Sequence, residues 1–182
     1  DDLVGFEKLQ LLALTDESSK FPNIAPLNKT LIEVVITCLQ ASSTRGVFRH
    51  MHHLESISIR ASLTDGALPQ LPENNSLTYL NIIKTSKPDY TFEDLQKLNK
   101  LETLKFGNNP IIGPRVILPI GQLISLKTIE IKEHTNLNFI TLDGGCKWLS
   151  DISIIESSLV ELPTFWGAYP RLEILDLQQN TI

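Results

Sequence analysis

One pattern recurs along this chain and constrains it more than any other feature. An apolar residue is followed by two variable residues, a second apolar, one variable residue and a third apolar. It occurs at Leu9/Leu12/Leu14, Leu31/Val34/Ile36, Leu54/Ile57/Ile59, Leu77/Leu80/Ile82, Leu101/Leu104/Phe106, Leu126/Ile129/Ile131, Leu149/Ile152/Ile154 and Leu172/Leu175/Leu177. The first residues of successive triplets lie 22, 23, 23, 24, 25, 23 and 23 positions apart. A unit of that length cannot bury an apolar face alone, so each copy must be covered by its neighbours. The 182 residues read as a single solenoid segment, 1–182, of about eight turns, with no linker or internal boundary.

A second register supports the first. Six residues before a triplet stand Leu3, Phe48, Leu71, Leu95, Ile120 and Trp166; three before it stand Phe6, Met51, Leu98, Leu123 and Tyr169. Within each triplet the last two apolar residues alternate with variable ones, as in a strand with one face inward. Successive strands then stack in parallel at about 4.8 Å, and the preceding segments fill the other half of the core.

Eight residues after each triplet begins come Glu17, Leu39, Ser62, Thr85, Asn109, His134, Ser157 and Asn180. With Asn at that position, "LETLKFGNNPI" and "LEILDLQQNTI" resemble the leucine-rich-repeat superfamily, and "SSLVELPTFWGAYPRL" resembles the variable half of its repeat. The resemblance covers essentially the whole chain. It implies an α/β solenoid: a right-handed curved coil, a parallel sheet on the concave face, and an irregular or short-helical convex face. In the family the Asn side chain bonds backbone groups of neighbouring turns. Ser, Thr or His in its place implies an irregular ladder. The segment most suited to a true helix is "TFEDLQKLNK", Thr91 to Lys100, which Thr91 can cap.

The chain starts just before a repeat and stops inside one, without the polar or Cys-rich caps that solenoids of this family carry. The expectation is a segment of a longer protein, or ends that stack on something else, self-association included.

Cys38 falls on a strand and Cys146 three residues before the seventh triplet, about 20 Å apart by strand spacing and far beyond disulfide reach. Two free thiols are expected, and thiols lean toward a reducing compartment. Two sequons, Asn28-Lys29-Thr30 and Asn74-Asn75-Ser76, point the other way. Both replace the apolar residue three before a triplet, as though the side chain there faces solvent, and Asn28 and Asn74 are candidate glycosylation sites.

Composition narrows the function classes. A net charge of −5 argues against nucleic acid as partner. No apolar run is long enough to insert in a membrane. "RHMHH" holds His50, His52 and His53, but Met51 takes the inward position and no Cys or carboxylate stands nearby to complete a metal site. His134 sits at the ladder position, where a backbone hydrogen bond suits it. "DGG" and "GNNPIIGP" lack the lysine of a phosphate loop, and no nucleophile–base motif is present. Neither a catalytic residue, a metal site nor a cofactor is expected, and the chain reads as a non-enzyme.

The outward residues of the strands are the candidate ligand-binding surface. In the first two turns they include Leu11, Ala13, Ile32 and Val35, apolar for exposed positions. The fourth turn has Tyr79, Asn81 and Ile83. The fifth and sixth mix signs, with Glu102, Lys105, Lys127, Glu130, Lys132 and Glu133. The last two carry Asp151, Glu156, Glu173 and Asp176. An exposed apolar patch marks a contact surface, and an acidic strip favours a basic partner. The expected function is recognition of another protein or peptide on the concave face, in a secreted or cell-surface protein. The aromatic and leucine spacing before the triplets resembles Toll-like and other extracellular members. Alternatively, "LPIGQLISLKTIEI" resembles plant intracellular immune receptors, which would place the chain in the cytoplasm as an immune receptor or regulatory scaffold. A third alternative is a structural, fibre-forming protein.

Overall fold

The computed structural model describes residues 3–16, 23–41, 47–63, 71, 76–85, 93–107 and 114–182. Eight strands form one parallel sheet. They are β1 (Leu11–Asp16), β2 (Glu33–Ala41), β3 (Ser56–Leu63), β4 (Tyr79–Thr85), β5 (Thr103–Gly107), β7 (Thr128–Lys132), β9 (Asp151–Ile155) and β11 (Ile174–Asp176), side by side in that order. The first seven each carry the last two residues of one apolar triplet, and β11 carries Leu175 and ends just before Leu177. The β-branched and leucine content of these segments suits a pleated surface buried on one side.

Register converts the sequence pattern into stacked columns. Val34, Ile57, Leu80, Leu104, Ile129 and Ile152 are aligned partners and fully buried, and so are Leu31, Leu54, Leu77, Leu101, Leu126 and Leu149 at the triplet starts. Burying each such side chain is worth about 1.5–3 kcal/mol. The first and last turns differ from the middle ones in that their leucines are less covered: Leu9, Leu14, Leu172 and Leu177 are half-buried, and Leu175 is 43% exposed.

A regular hydrogen-bond device enters every strand. The carbonyl just before it accepts from two consecutive N–H groups of the next turn. Gln10 O takes Ile32 N at 2.7 Å and Glu33 N at 2.9 Å, and Ile32, Glu55, Thr78, Glu102, Lys127 and Ser150 repeat the arrangement. The stack therefore satisfies its backbone at the place where the chain bends.

The convex side divides in two. Among the described residues of the earlier turns it shows turns and two 3-10 segments, Ala25–Leu27 and Glu93–Lys97. The helix expected over Thr91 to Lys100 is thus a five-residue 3-10 turn, and its anticipated cap Thr91 lies outside the described residues. Leu95 and Leu98 are both buried against the core. The 3-10 winding places these i, i+3 residues one above the other.

In the later turns the convex segments form a second sheet. Strands β6 (Arg115–Pro119), β8 (Phe139–Asp143) and β10 (Thr164–Trp166) pair in parallel, with β8 in the middle. An irregular or short-helical convex face therefore describes the earlier turns, and a sheet replaces it in the later ones.

Directly after these strands lies a glycine column. A Cβ on Gly144 would stand 2.5 Å from Gly121 Cα, and one on Gly167 would stand 2.3 Å from Gly145 N. Backbones of adjacent turns touch where no side chain fits. Tyr169 closes the same corner, its hydroxyl 2.7 Å from Gly144 O and 3.1 Å from Leu142 O, able to donate to either. Burial first of all, together with the nearby Cys146 and Asp143, pushes the Tyr169 hydroxyl up to about 12.

Both cysteines are buried and outside any disulfide. Cys146 Sγ lies within donating distance of Leu123 O and Leu126 O, at 3.3 and 3.5 Å, and burial raises its thiol above the ordinary value. Of the apolar residues three before the triplets, Met51, Leu98 and Leu123 are buried, whereas Phe6 is 52% exposed at the first turn. Asn28 ends the first 3-10 segment half-buried, not fully facing solvent, and Asn74 lies outside the described residues.

Candidate binding surface

Three columns of side chains run across the outer face of the eight-stranded sheet. The first holds Leu11, Glu33, Ser56, Tyr79, Thr103, Thr128, Asp151 and Ile174. The second holds Ala13, Val35, Ser58, Asn81, Lys105, Glu130, Ser153 and Asp176. The third holds Thr15, Thr37, Arg60, Ile83, Gly107, Lys132 and Ile155. The pleat sends them outward because their sequence neighbours form the buried columns.

Most of the predicted residues fall on this face, but three do not. Ile32 and Glu173 belong to the carbonyl row before the strands, one step outside the columns. Glu156 lies beyond β9 in a left-handed conformation, with φ 52°. Leu11 and Ala13 are exposed, and Val35, Tyr79, Ile83, Asp151 and Asp176 are half-buried. The acidic end is interrupted by Ile155 and by Ile174, itself exposed. Asp151 accepts from Ser150 Oγ, and Asp176 Oδ1 accepts from Gln178 N at 3.0 Å.

Two depressions mark the surface. At the edge, a groove of about 600 Å³ is lined by Ile32 with Glu7, Lys8, Lys29, His53 and Glu55 among others. At the centre of the columns, a hollow of about 190 Å³ lies between Arg60, Tyr79, Asn81 and Ile83 on one side and Lys105, Glu130, Lys132 and Glu133 on the other. Gly107 is its floor, since the third column has no side chain there. Tyr79 and Ile83 are thus brought together with a charged network, whereas Leu11 and Asp151 are strands away. Arg60 and Gly107 were missed by the sequence reading. Their signal was modest: an outward arginine in "ISIRAS" and a glycine at an outward strand position in "LKFGNN".

The charges of the middle turns are mutually paired. Lys105 Nζ donates to Glu130 Oε2 at 2.9 Å, Lys132 Nζ lies 3.0 Å from Glu130 Oε1, and Lys127 Nζ reaches Glu102 Oε2 at 2.7 Å. Partial burial would raise the Glu130 carboxyl. The hydrogen bonds from Lys105 and Lys132 outweigh that and hold it below the ordinary value. The same bond to Glu130, opposed by burial, raises Lys105.

The ladder position works in the last three turns. Glu133, Glu156 and Gln179 all have positive φ, near 59°, 52° and 57°, and each turns the next residue inward. His134 and Ser157 are buried, and the His134 N–H reaches Ser157 Oγ at 3.3 Å. Asn180 Nδ2 donates to Ile154 O at 2.6 Å and Leu177 O at 2.9 Å, while its Oδ1 accepts from Leu159 N at 3.2 Å. His50 and His52 stand edge to face with ring centres 6.4 Å apart. Among the described residues no three His, Cys, Asp or Glu side chains are grouped to hold a metal ion.

A solenoid of parallel strands on a 23-residue step, with polar residues bonding backbone between turns, defines the class. The chain is related to the leucine-rich-repeat superfamily. It is similar to Toll-like receptor 6 of Bos taurus, with 28% identity over 117 residues, a match that covers 63% of this chain and 14% of that receptor. No protein-family model matches the chain, and no solved structure matches it. Among the described residues no helix is long and apolar enough to cross a membrane.

Proposed function

We propose that this chain is a non-catalytic protein-recognition module that binds a protein or peptide partner on the outer face of the eight-stranded sheet. The carrying observation is the central hollow, where Tyr79 and Ile83 meet the paired charges of Lys105, Glu130 and Lys132. Such a combination of an apolar floor and fixed polar groups suits a partner's side chains. The similarity to a receptor of the same superfamily supports recognition as the role. The direct test is selection of binding peptides from a random displayed library, repeated with Val35→Glu and Tyr79→Glu. Selected peptides should lose binding to either folded variant; undiminished binding to both would defeat the reading.

We further propose a secreted or cell-surface location, supported by the two sequons and by the receptor similarity. Mass analysis of the natural protein should find glycan at Asn28 or Asn74. Unmodified Asn at both would favour the cytoplasmic alternative, which the buried thiols Cys38 and Cys146 favour.

A further inference from the structure

The partner's chemistry can be read from the central hollow. We infer that it takes a carboxylate side chain of an extended protein segment, and that the same segment places a lysine or arginine over Asp151 and Asp176. This rests on the outer face being the recognition surface.

Gly107 sets the shape of the hollow. It is the one described position of the third column without a side chain, so the surface is open between Ile83 and Lys132. A Cβ there would meet Ile83 Cγ1 at 3.5 Å, an ordinary contact. The glycine is therefore not demanded by packing, and it leaves room on the outer face. The groups around the opening are three cations, Arg60, Lys105 and Lys132, and two carboxylates, Glu130 and Glu133. Both oxygens of Glu130 are already taken by the two lysines. Arg60 is exposed and, among the described residues, in no ion pair. A guanidinium presents a planar fork that matches a carboxylate, so an anionic side chain entering at Gly107 meets Arg60 and Lys132 without displacing an existing bond.

The second half follows from the strand order β5-β7-β9-β11. Asp151 lies two strands from Gly107 and four residues back along the sheet, and Asp176 three strands and two residues back, so both are about 16 Å away at ordinary strand spacing and rise. An extended chain rises about 3.3 Å per residue. A basic residue about five positions from the acidic one therefore reaches these two carboxylates when the segment crosses the strands obliquely.

The probes are short acetylated Gly/Ser peptides titrated into the isotope-labelled chain and followed by amide NMR shifts. One carries Glu and a Lys about five positions on, one carries the same residues adjacent to each other, and one is uncharged. The spaced peptide is expected to shift Ile83, Gly107 and Lys132 saturably. Its affinity should fall about tenfold with Arg60→Glu and with Gly107→Val, and the Lys-dependent part should vanish with Asp176→Lys. Arg60 is exposed, so its variant keeps the fold if Gly107→Val does not. Equal binding of the uncharged peptide, indifference to both Arg60→Glu and Asp176→Lys, or no shift with any probe would overturn the inference. Shifts elsewhere on the outer face in that case leave the recognition reading standing, whereas saturable shifts confined to β6, β8 and β10 would overturn both.

Discussion

The earlier and later turns of this solenoid share a step length and an inward triplet, yet they end their strands differently. In β2 and β3 the inward alternation runs on past the triplet to Cys38 and Ala61, both buried, and the strands reach nine and eight residues. In β7, β9 and β11 the equivalent positions are Glu133, Glu156 and Gln179, all left-handed, and the strands have five, five and three residues. In β2 and β3 a small buried residue at that position continues the strand, whereas in the last three turns a residue of positive φ there turns the chain. The convex sides differ in step with this. Five residues before the triplets stand Pro26, Arg49 and Gln96 in the second, third and fifth turns, but Gly121, Gly144 and Gly167 in the last three. The glycines allow adjacent backbones to touch, and among the described residues the second sheet forms beside them. One repeat length thus accommodates two modes of packing, selected by one or two residues per turn.

The sharpest way to break this comparison is Gly144→Ala against Arg49→Ala, the same repeat position in the two regions. The new Cβ on Gly144 would fall 2.5 Å from Gly121 Cα at a φ of +93°, so we expect a loss of about 3 kcal/mol or more. Arg49 is exposed, and its variant should stay within about 0.5 kcal/mol. Denaturant unfolding of both decides it; equal small losses would mean that the close backbone approach is not what holds the second sheet.

A smaller effect is expected from Asn180→Ala. It orphans Ile154 O and Leu159 N, which the side chain now bonds, at a cost of about 1–2 kcal/mol. Hydrogen exchange should show faster opening of the Leu159 amide, with the amides of β2 and β3 unchanged. Uniform acceleration through all turns would show that the ladder is not a local feature of the later ones.

The smallest effect concerns the surface network. The folded Glu130 carboxyl lies below its ordinary value of 4.5, so the stability it brings is complete above that pH and is lost as pH falls through the lower folded value. Lys105 is raised above 10.5, and its share is complete below that pH and lost as pH rises through the folded value. These side chains are partly exposed, so Lys105→Met with Glu130→Gln should change neutral-pH stability by less than about 1 kcal/mol. The double variant should also flatten the acid limb below pH 4.5; an unchanged acid limb would show that the pair carries no linkage.

Particular residues show how far the sequence could be read. The buried columns from Val34 to Ile152 followed from spacing, because strand alternation leaves one choice of face once neighbours must cover each other. Most of the outer-face residues followed from the same rule. The ladder was visible at Asn180 and as an irregularity elsewhere, but that Ser157 turns inward depends on the φ of the residue before it. The second sheet was not foreseen. "RVILP", "FITLD" and "TFW" are too short to distinguish from irregular connections until a neighbour pairs with them. The glycines that permit the pairing read, taken singly, as loop residues.

The sequence by itself determined the solenoid, its core and the absence of a disulfide, because all of these depend on periodicity and distance along the chain. Only the tertiary structure decided which outward residues share a hollow. Tyr79, Arg60, Gly107 and Glu130 lie on four different turns, and their meeting is a matter of register between strands. It also decided that one convex face is turns and the other a sheet, since backbone contact between turns requires glycine in adjacent copies at once and is a property of the stack, not of any one repeat.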